Sequence, residues 1–332
     1  MKGVDVEGER TEPPAAGKKP GESVHGVVQH LFFDAPDKTR IAYQKVGKGP
    51  VLVLANGLGG TFAAWKYVYG RLADRYRILC WDYRGLYGSG PPPDPTNVGV
   101  ATHCSDLERL LEIEGVERAV FLGWSMGTQV NLEFYRTHAD RFAGLVFLNG
   151  TSGRPFQTAF GVQLMDRVIP MLLKVMDAAA PAVSAATKRL TQLPALVPLL
   201  QTLGLVGKSL DRSIFDELAS EFARLDFRLY AKTLAALGQH DATDVLSEVS
   251  CPTLVVTGDR DVMTPSATAR RICDRIADCR FRLISGASHY AAVEFPAQVS
   301  GAIEDFLVEI GYHASSPDWE SSSNNEMSST RE

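Results

Sequence analysis

Short apolar runs recur along this chain, separated by amphipathic stretches of helical period. Val51-Leu52-Val53-Leu54, Arg77-Ile78-Leu79-Cys80-Trp81, Ala119-Val120-Phe121-Leu122, Leu145-Val146-Phe147-Leu148, Thr253-Leu254-Val255-Val256 and Phe281-Arg282-Leu283-Ile284 are the main runs. They are apolar at successive rather than alternate positions, the pattern of strands covered on both faces. Upstream, residues 27–33 and 39–46 flank Asp34-Ala35-Pro36-Asp37-Lys38 and predict an opening hairpin, which brings the strands to eight. Helical periods fall at 63–74, 101–114, 129–137, 265–277 and 297–309. Alternation of this kind predicts an α/β fold, a mostly parallel eight-stranded sheet covered by helices.

One stretch breaks the alternation. Between Arg154 and Ala242 no strand pattern is evident, and the Leu/Ala/Val-rich pieces are cut by Pro155, Pro170, Pro181, Pro194 and Pro198. Ile214, Leu218, Phe222, Leu225 and Leu229 recur at helical spacing behind Asp211, an N-cap candidate. This predicts a helical cap over 154–242, inserted into a core made of 26–153 and 243–312. The first half of the insert is sparsely charged, so it either packs down on the core or lines an apolar pocket. Residues 1–25 and 313–332 are rich in Pro, Gly, Ser, Asn and charge, and are expected to be disordered tails.

Charge and composition narrow the partners. A formal net charge of -5 supplies no basic field, which argues against nucleic acid as the main partner. No apolar run is long enough to span a bilayer, and the N-terminus has no apolar signal core, so a cytoplasmic address is expected. The cysteines Cys80, Cys104, Cys251, Cys273 and Cys279 show no paired Cys-x-x-Cys spacing. They predict neither a zinc site nor a disulfide framework, and buried reduced thiols are expected. Oligomeric state is not legible.

The candidate chemistry begins where the third of these runs ends. Gly123-Trp124-Ser125-Met126-Gly127 joins a strand pattern to a helix pattern. A sharp strand-to-helix turn projects a serine Oγ above the sheet, while the helix N-terminus aims free N–H groups at a developing oxyanion. Met126 N–H is one such donor. Asn56-Gly57-Leu58-Gly59-Gly60 follows the first parallel strand on the same rim and offers Leu58 N–H as the second. Thr257-Gly258-Asp259-Arg260-Asp261 and Gly286-Ala287-Ser288-His289 follow later strands. His289 there can reach Ser125, with Asp259 and Asp261 competing to orient it. Glu294 reads as structural, and Asp82 with Arg84 as a turn network. Trp124, Phe156, Phe160 and Leu164 are the candidate substrate contacts.

These segments, with Asp82-Tyr83-Arg84-Gly85-Leu86-Tyr87-Gly88-Ser89 and Pro296, resemble the α/β-hydrolase fold superfamily in its serine esterase, lipase and peroxidase-like branch. The resemblance covers about 27–311, with the cap least similar. It implies Ser125 as nucleophile, Asp261 as acid, His289 as base, Leu58 and Met126 as oxyanion donors, and no cofactor or metal. The expected reaction is cleavage of a small apolar carboxylic ester through an acyl-enzyme. Alternatives on the same residues are acyl transfer, perhydrolysis in the manner of cofactor-free haloperoxidases, and carbon–carbon bond hydrolysis. A slow-turnover ligand receptor is a further alternative. Two departures stand out: Asn56 replaces the usual histidine before Gly57, and Tyr87 occupies a position where glycine is common.

Overall fold

The computed structural model describes residues 27–158 and 165–313. Eight strands form one sheet: β1 Gln29–Asp34, β2 Arg40–Val46, β3 Val51–Ala55, β4 Arg77–Trp81, β5 Ala119–Trp124, β6 Phe142–Leu148, β7 Thr253–Gly258 and β8 Cys279–Ile284. Their spatial order is β1-β2-β4-β3-β5-β6-β7-β8. β2 is antiparallel to both β1 and β4, and the pairs from β4 to β8 are parallel. The sheet flanks β3 with β4 on one side and β5 on the other, so the direction of winding reverses there. Ligand sites in open α/β sheets lie beyond the carboxyl ends of strands at such a point.

The helices are α1 Lys66–Leu72, α2 Val100–Ile113, α3 Met126–His138, α4 Pro155–Thr158, α5 Met165–Ala178, α6 Ala180–Leu190, α7 Leu196–Thr202, α8 Arg212–Phe222, α9 Phe227–Gln239, α10 Ser266–Cys273, α11 Ala291–Glu294 and α12 Pro296–Glu309. Every residue of β3, β5 and β6 is buried. Alternate side chains go to opposite faces: Val53 and Phe121 join one cluster, Leu54 and Leu122 the other. Burial on both sides accounts for the unbroken apolar runs.

β8 departs from that expectation. It is an edge strand with Leu283 exposed, and Arg280 and Arg282 keep its open side charged. The helical period at 63–74 divides into a 3-10 turn, Phe62–Trp65, and α1. Likewise the run from Ile214 to Leu229 is two helices, because Asp211 caps α8 and Asp226 caps α9. Between β6 and β7 the described residues contain helices α4 to α9 and no strand. The tails at 1–25 and beyond 313 lie outside the described residues, as do Phe160 and Leu164. No single described helix is long and apolar enough to cross a membrane, although the bent pair Val168–Ala178 and Ala180–Leu190 meets that test jointly.

The cysteine expectation is corrected in part. Cys273 and Cys279 form a disulfide, while Cys80, Cys104 and Cys251 are free. The helix α10 ends on Cys273 and β8 begins on Cys279, so the short return between them brings the Cα atoms to 5.4 Å. A local loop closure of this kind has no signature in cysteine spacing.

Arg84 ties the loop after β4 to the core. Its Nη2 and Nε donate to Asp106 at 2.6 and 2.9 Å, and Nη1 donates to Asp37 at 2.6 Å. Arg84 and Asp106 are almost wholly buried. Removing one partner strands a charge in low dielectric, so Arg84→Ala is expected to lower unfolding free energy by about 3–5 kcal/mol in urea titrations. Nearby, burial pushes the Asp82 carboxyl up to about 6. The folded chain then holds a proton that the unfolded chain has lost between about pH 4 and 6, and stability falls as pH rises through that window. Asp82→Asn retains an acceptor for Gly88 N–H, and is expected to abolish this slope and gain on the order of 1–3 kcal/mol at about pH 8, read from urea midpoints across pH.

Candidate active site

The turn between β5 and α3 holds Ser125 at φ 53°, ψ -114°, a conformation that side chains rarely adopt. The surrounding backbone leaves no room for side chains at the flanking glycines. A Cβ on Gly123 would lie 2.5 Å from the Gly127 carbonyl, and one on Gly127 would lie 2.1 Å from the Ala55 oxygen. Ser125 N–H donates to Leu148 O at 3.0 Å, which ties the turn to the neighbouring strand β6. Strand and helix therefore meet with Ser125 at the apex.

Ser125, His289 and Asp261 converge there. His289 Nε2 is 2.9 Å from Ser125 Oγ, and its Nδ1 is 2.9 Å from Asp261 Oδ2. With the ring proton on Nδ1, that nitrogen donates to the carboxylate and Nε2 accepts from the serine hydroxyl. Asp261 also accepts from Met263 N–H at 2.9 Å, Thr264 N–H at 2.8 Å, Thr264 Oγ1 at 2.6 Å and Asn149 Nδ2 at 2.8 Å. Burial opposes ionisation of this carboxyl, but its partners His289 and Thr264 outweigh it and hold the pKa below the usual carboxylate range. Asp259 makes no such contact. It accepts from Gly286 N–H at 2.7 Å and Ser285 Oγ at 3.2 Å, and so pins the turn leading to His289.

The loop after β3 sits beside Ser125 because β3 and β5 are neighbours, with Ala55 opposite Gly123. Among the described residues, neither Leu58 N–H nor Met126 N–H donates to another protein group. Met126 is the first residue of α3, where an N–H lacks an intrahelical acceptor. Asn56 secures the base of the loop. Its Nδ2 donates to Trp81 O at 3.1 Å, its Oδ1 accepts from Trp65 Nε1 at 2.9 Å, and its carbonyl accepts from Tyr83 OH at 2.7 Å. The carboxamide thus meets a donor and an acceptor at once, which suits a buried side chain.

Trp124 is a brace, and it is nearly inaccessible. Its Nε1 donates to His289 O at 3.0 Å, and its ring packs at 5.4 Å from Tyr290. Phe156 lies in the interior of the helical segment with Leu173 and Ala231 and against Gly238. An apolar residue at helical spacing carries no mark of whether it faces a pocket or its own helix bundle. Other helices approach the site. Leu229 of α9 lies against Gly85, and Phe215 of α8 meets Tyr290 at 5.8 Å. Burial first, and the phenols of Tyr230 and Tyr290 after it, push the Tyr87 phenol up.

Two residues support these loops: Asn149, which has no part in the motif reading, and Glu294, which the sequence predicts to be structural. Asn149, at φ 47° just past β6, donates to both Asp261 and Ser288 O, joining the acid loop to the histidine loop. Glu294 accepts from Ser288 N–H at 2.7 Å and from Ser288 Oγ, and so fixes the residue before His289. A polar Asn149-Gly150 pair at the end of an apolar strand was the available signal for the first. Among the described residues no cluster of three or more His, Cys, Asp or Glu side chains is arranged to hold a metal ion.

This architecture is shared with known proteins. A family model described as alpha/beta hydrolase fold matches residues 50–296. The chain is 25% identical over 255 residues to 3-oxoadipate enol-lactonase 2 of Acinetobacter baylyi, covering 77% of this chain and 87% of the relative. A thermophilic esterase from Thermogutta terrifontis superposes with a TM-score of 0.70 at 22% identity, over 85% of this chain and 99% of the esterase. A bromoperoxidase from Bacillus anthracis gives 0.69 at 20% identity, over 84% and 100%. With the family match running from just before β3 to the start of α12, through the loops that carry Ser125, Asp261 and His289, the chain belongs to the alpha/beta hydrolase fold family, a family of hydrolases.

Proposed function

We propose that this protein is a serine hydrolase that cleaves a small, uncharged carboxylic ester through an acyl-enzyme. The observation that carries this reading is His289, whose two ring nitrogens lie 2.9 Å from Ser125 Oγ and 2.9 Å from the Asp261 carboxylate. In the first step His289 Nε2 takes the Ser125 proton as Oγ attacks the ester carbonyl. Negative charge then develops on the carbonyl oxygen, where Leu58 and Met126 N–H groups are free to donate. Asp261 keeps the Nδ1 proton in place and stabilises the imidazolium that forms. The imidazolium protonates the departing alkoxide, and water, deprotonated by the same nitrogen, releases the acid from Ser125.

The helices between β6 and β7 act as a cap, in which α8 and α9 rather than α4 and α5 stand over the serine. This reading rests on Leu229 against Gly85 and Phe215 against Tyr290. The side of the site next to His289 is then aromatic, where Tyr290 meets Trp124 and Phe215, which suits an uncharged acyl group better than a carboxylate or sugar.

Labelling by a fluorophosphonate followed by mass spectrometry tests the nucleophile. Ser125 is expected to carry the adduct, and Ser125→Ala or His289→Ala to lower nitrophenyl ester turnover by about three orders of magnitude or more without unfolding the chain. More than a tenth of the turnover remaining in pure Ser125→Ala would remove the proposal. The choice of acid is tested separately. Asp261→Asn is expected to cost at least about a hundredfold in kcat, because a neutral partner lets the imidazole take the wrong tautomer. Asp259→Asn, which loosens only the turn at Gly286, is expected to cost less than about tenfold. Equal losses in steady-state kinetics would assign the acid wrongly.

A further inference from the structure

Tyr87 holds a left-handed backbone conformation, φ 52°, in which a glycine would be free of strain and a tyrosine is not. The strain is sustained by a well-anchored loop. Gly88 N–H donates to Asp82 Oδ2 at 3.1 Å, Ser89 Oγ donates to Asp82 O at 2.7 Å, and Ala42 N–H donates to Ser89 Oγ at 2.9 Å. The loop is thereby fastened to the sheet on both sides of the tyrosine. What this conformation achieves is reach: the half-buried Tyr87 phenol donates to Leu58 O at 3.2 Å, across to the loop that follows β3.

That loop needs a restraint. Gly60 N–H donates to Gly57 O at 3.0 Å, which makes Gly57 to Gly60 a β-turn with Leu58 and Gly59 at its centre. The central peptide of such a turn, whose carbonyl is Leu58 O, can rotate between two forms. The alternative form places the residue after it at positive φ, where glycine is at ease. Gly59 is not at positive φ here, and a Cβ on it would meet nothing within 4 Å. Neither its own conformation nor its surroundings explain the glycine, and neither prevents the rotation. The Tyr87 hydroxyl is the group that holds the carbonyl at the centre of the turn.

We infer that Tyr87 is a positioning residue for the oxyanion loop: its phenol tethers Leu58 by the carbonyl and so holds this residue, with its N–H, in place beside Ser125. This rests on the proposed serine hydrolase reading and deepens it. The benefit falls on the transition state, because the oxyanion is fully charged only there.

The test is Tyr87→Phe, which keeps the ring and removes the hydroxyl, assayed with nitrophenyl acetate and butyrate. Loss of one restraining hydrogen bond is expected to lower kcat about 5- to 20-fold, leaving KM within about twofold. Affinity for a boronic acid that mimics the tetrahedral adduct is expected to weaken by about the same factor as kcat/KM. Tyr87→Phe with kcat within about twofold of the parent overturns the inference, as does a loss confined to KM. A Ser125→Ala control separates the two readings. If Ser125→Ala is inactive while Tyr87→Phe is fully active, only the role of Tyr87 falls; an active Ser125→Ala removes the function itself.

Discussion

The crowded crossing of backbone at Gly123, Gly127 and Ala55 governs the geometry of the site. Helix α3 can leave strand β5 at so sharp an angle only because neither glycine carries a Cβ, and that angle forces Ser125 into its unusual conformation. The turn cannot relax sideways, since β3, β5 and β6 are buried throughout and Ser125 N–H is tied to Leu148. Everything else is arranged about a fixed serine: the loop after β3 on one side, the loops after β7 and β8 on the other.

A layered set of hydrogen bonds transmits that rigidity to the histidine. Asp261 is buried and ionised, a costly combination that its four further donors and His289 offset. Asn149 couples the Asp261 loop to the His289 loop, Glu294 fixes Ser288, and Trp124 holds the His289 carbonyl. Three strand ends thus act as one frame. The Arg84, Asp106 and Asp37 cluster performs a different task with the same physics, since it anchors the segment that carries Tyr87 toward the loop after β3. Aromatic contacts join α8 to the residue after His289 and α8 to α9.

Much of this is legible in the sequence. Strands buried on both faces leave unbroken apolar runs, helices leave a 3.6-residue period, and a turn forced to a sharp angle leaves Gly-x-Ser-x-Gly. Those are local demands of backbone geometry, so they are written at fixed spacing; the sheet, the serine turn and the loop histidine and aspartates follow from them. Properties that depend on which distant segments meet were decided only by the tertiary structure. Phe156 and Tyr230 have the same kind of helical setting, yet one clusters with Leu173 and Ala231 and the other packs its ring against Phe222 and Phe227. The Cys273–Cys279 bond, the exposed edge at β8, the bridging of Asn149 and the contact of Tyr87 with Leu58 likewise arise from packing between elements. Such contacts join side chains through space without imposing a period on the chain, and a sequence records periods far more clearly than meetings.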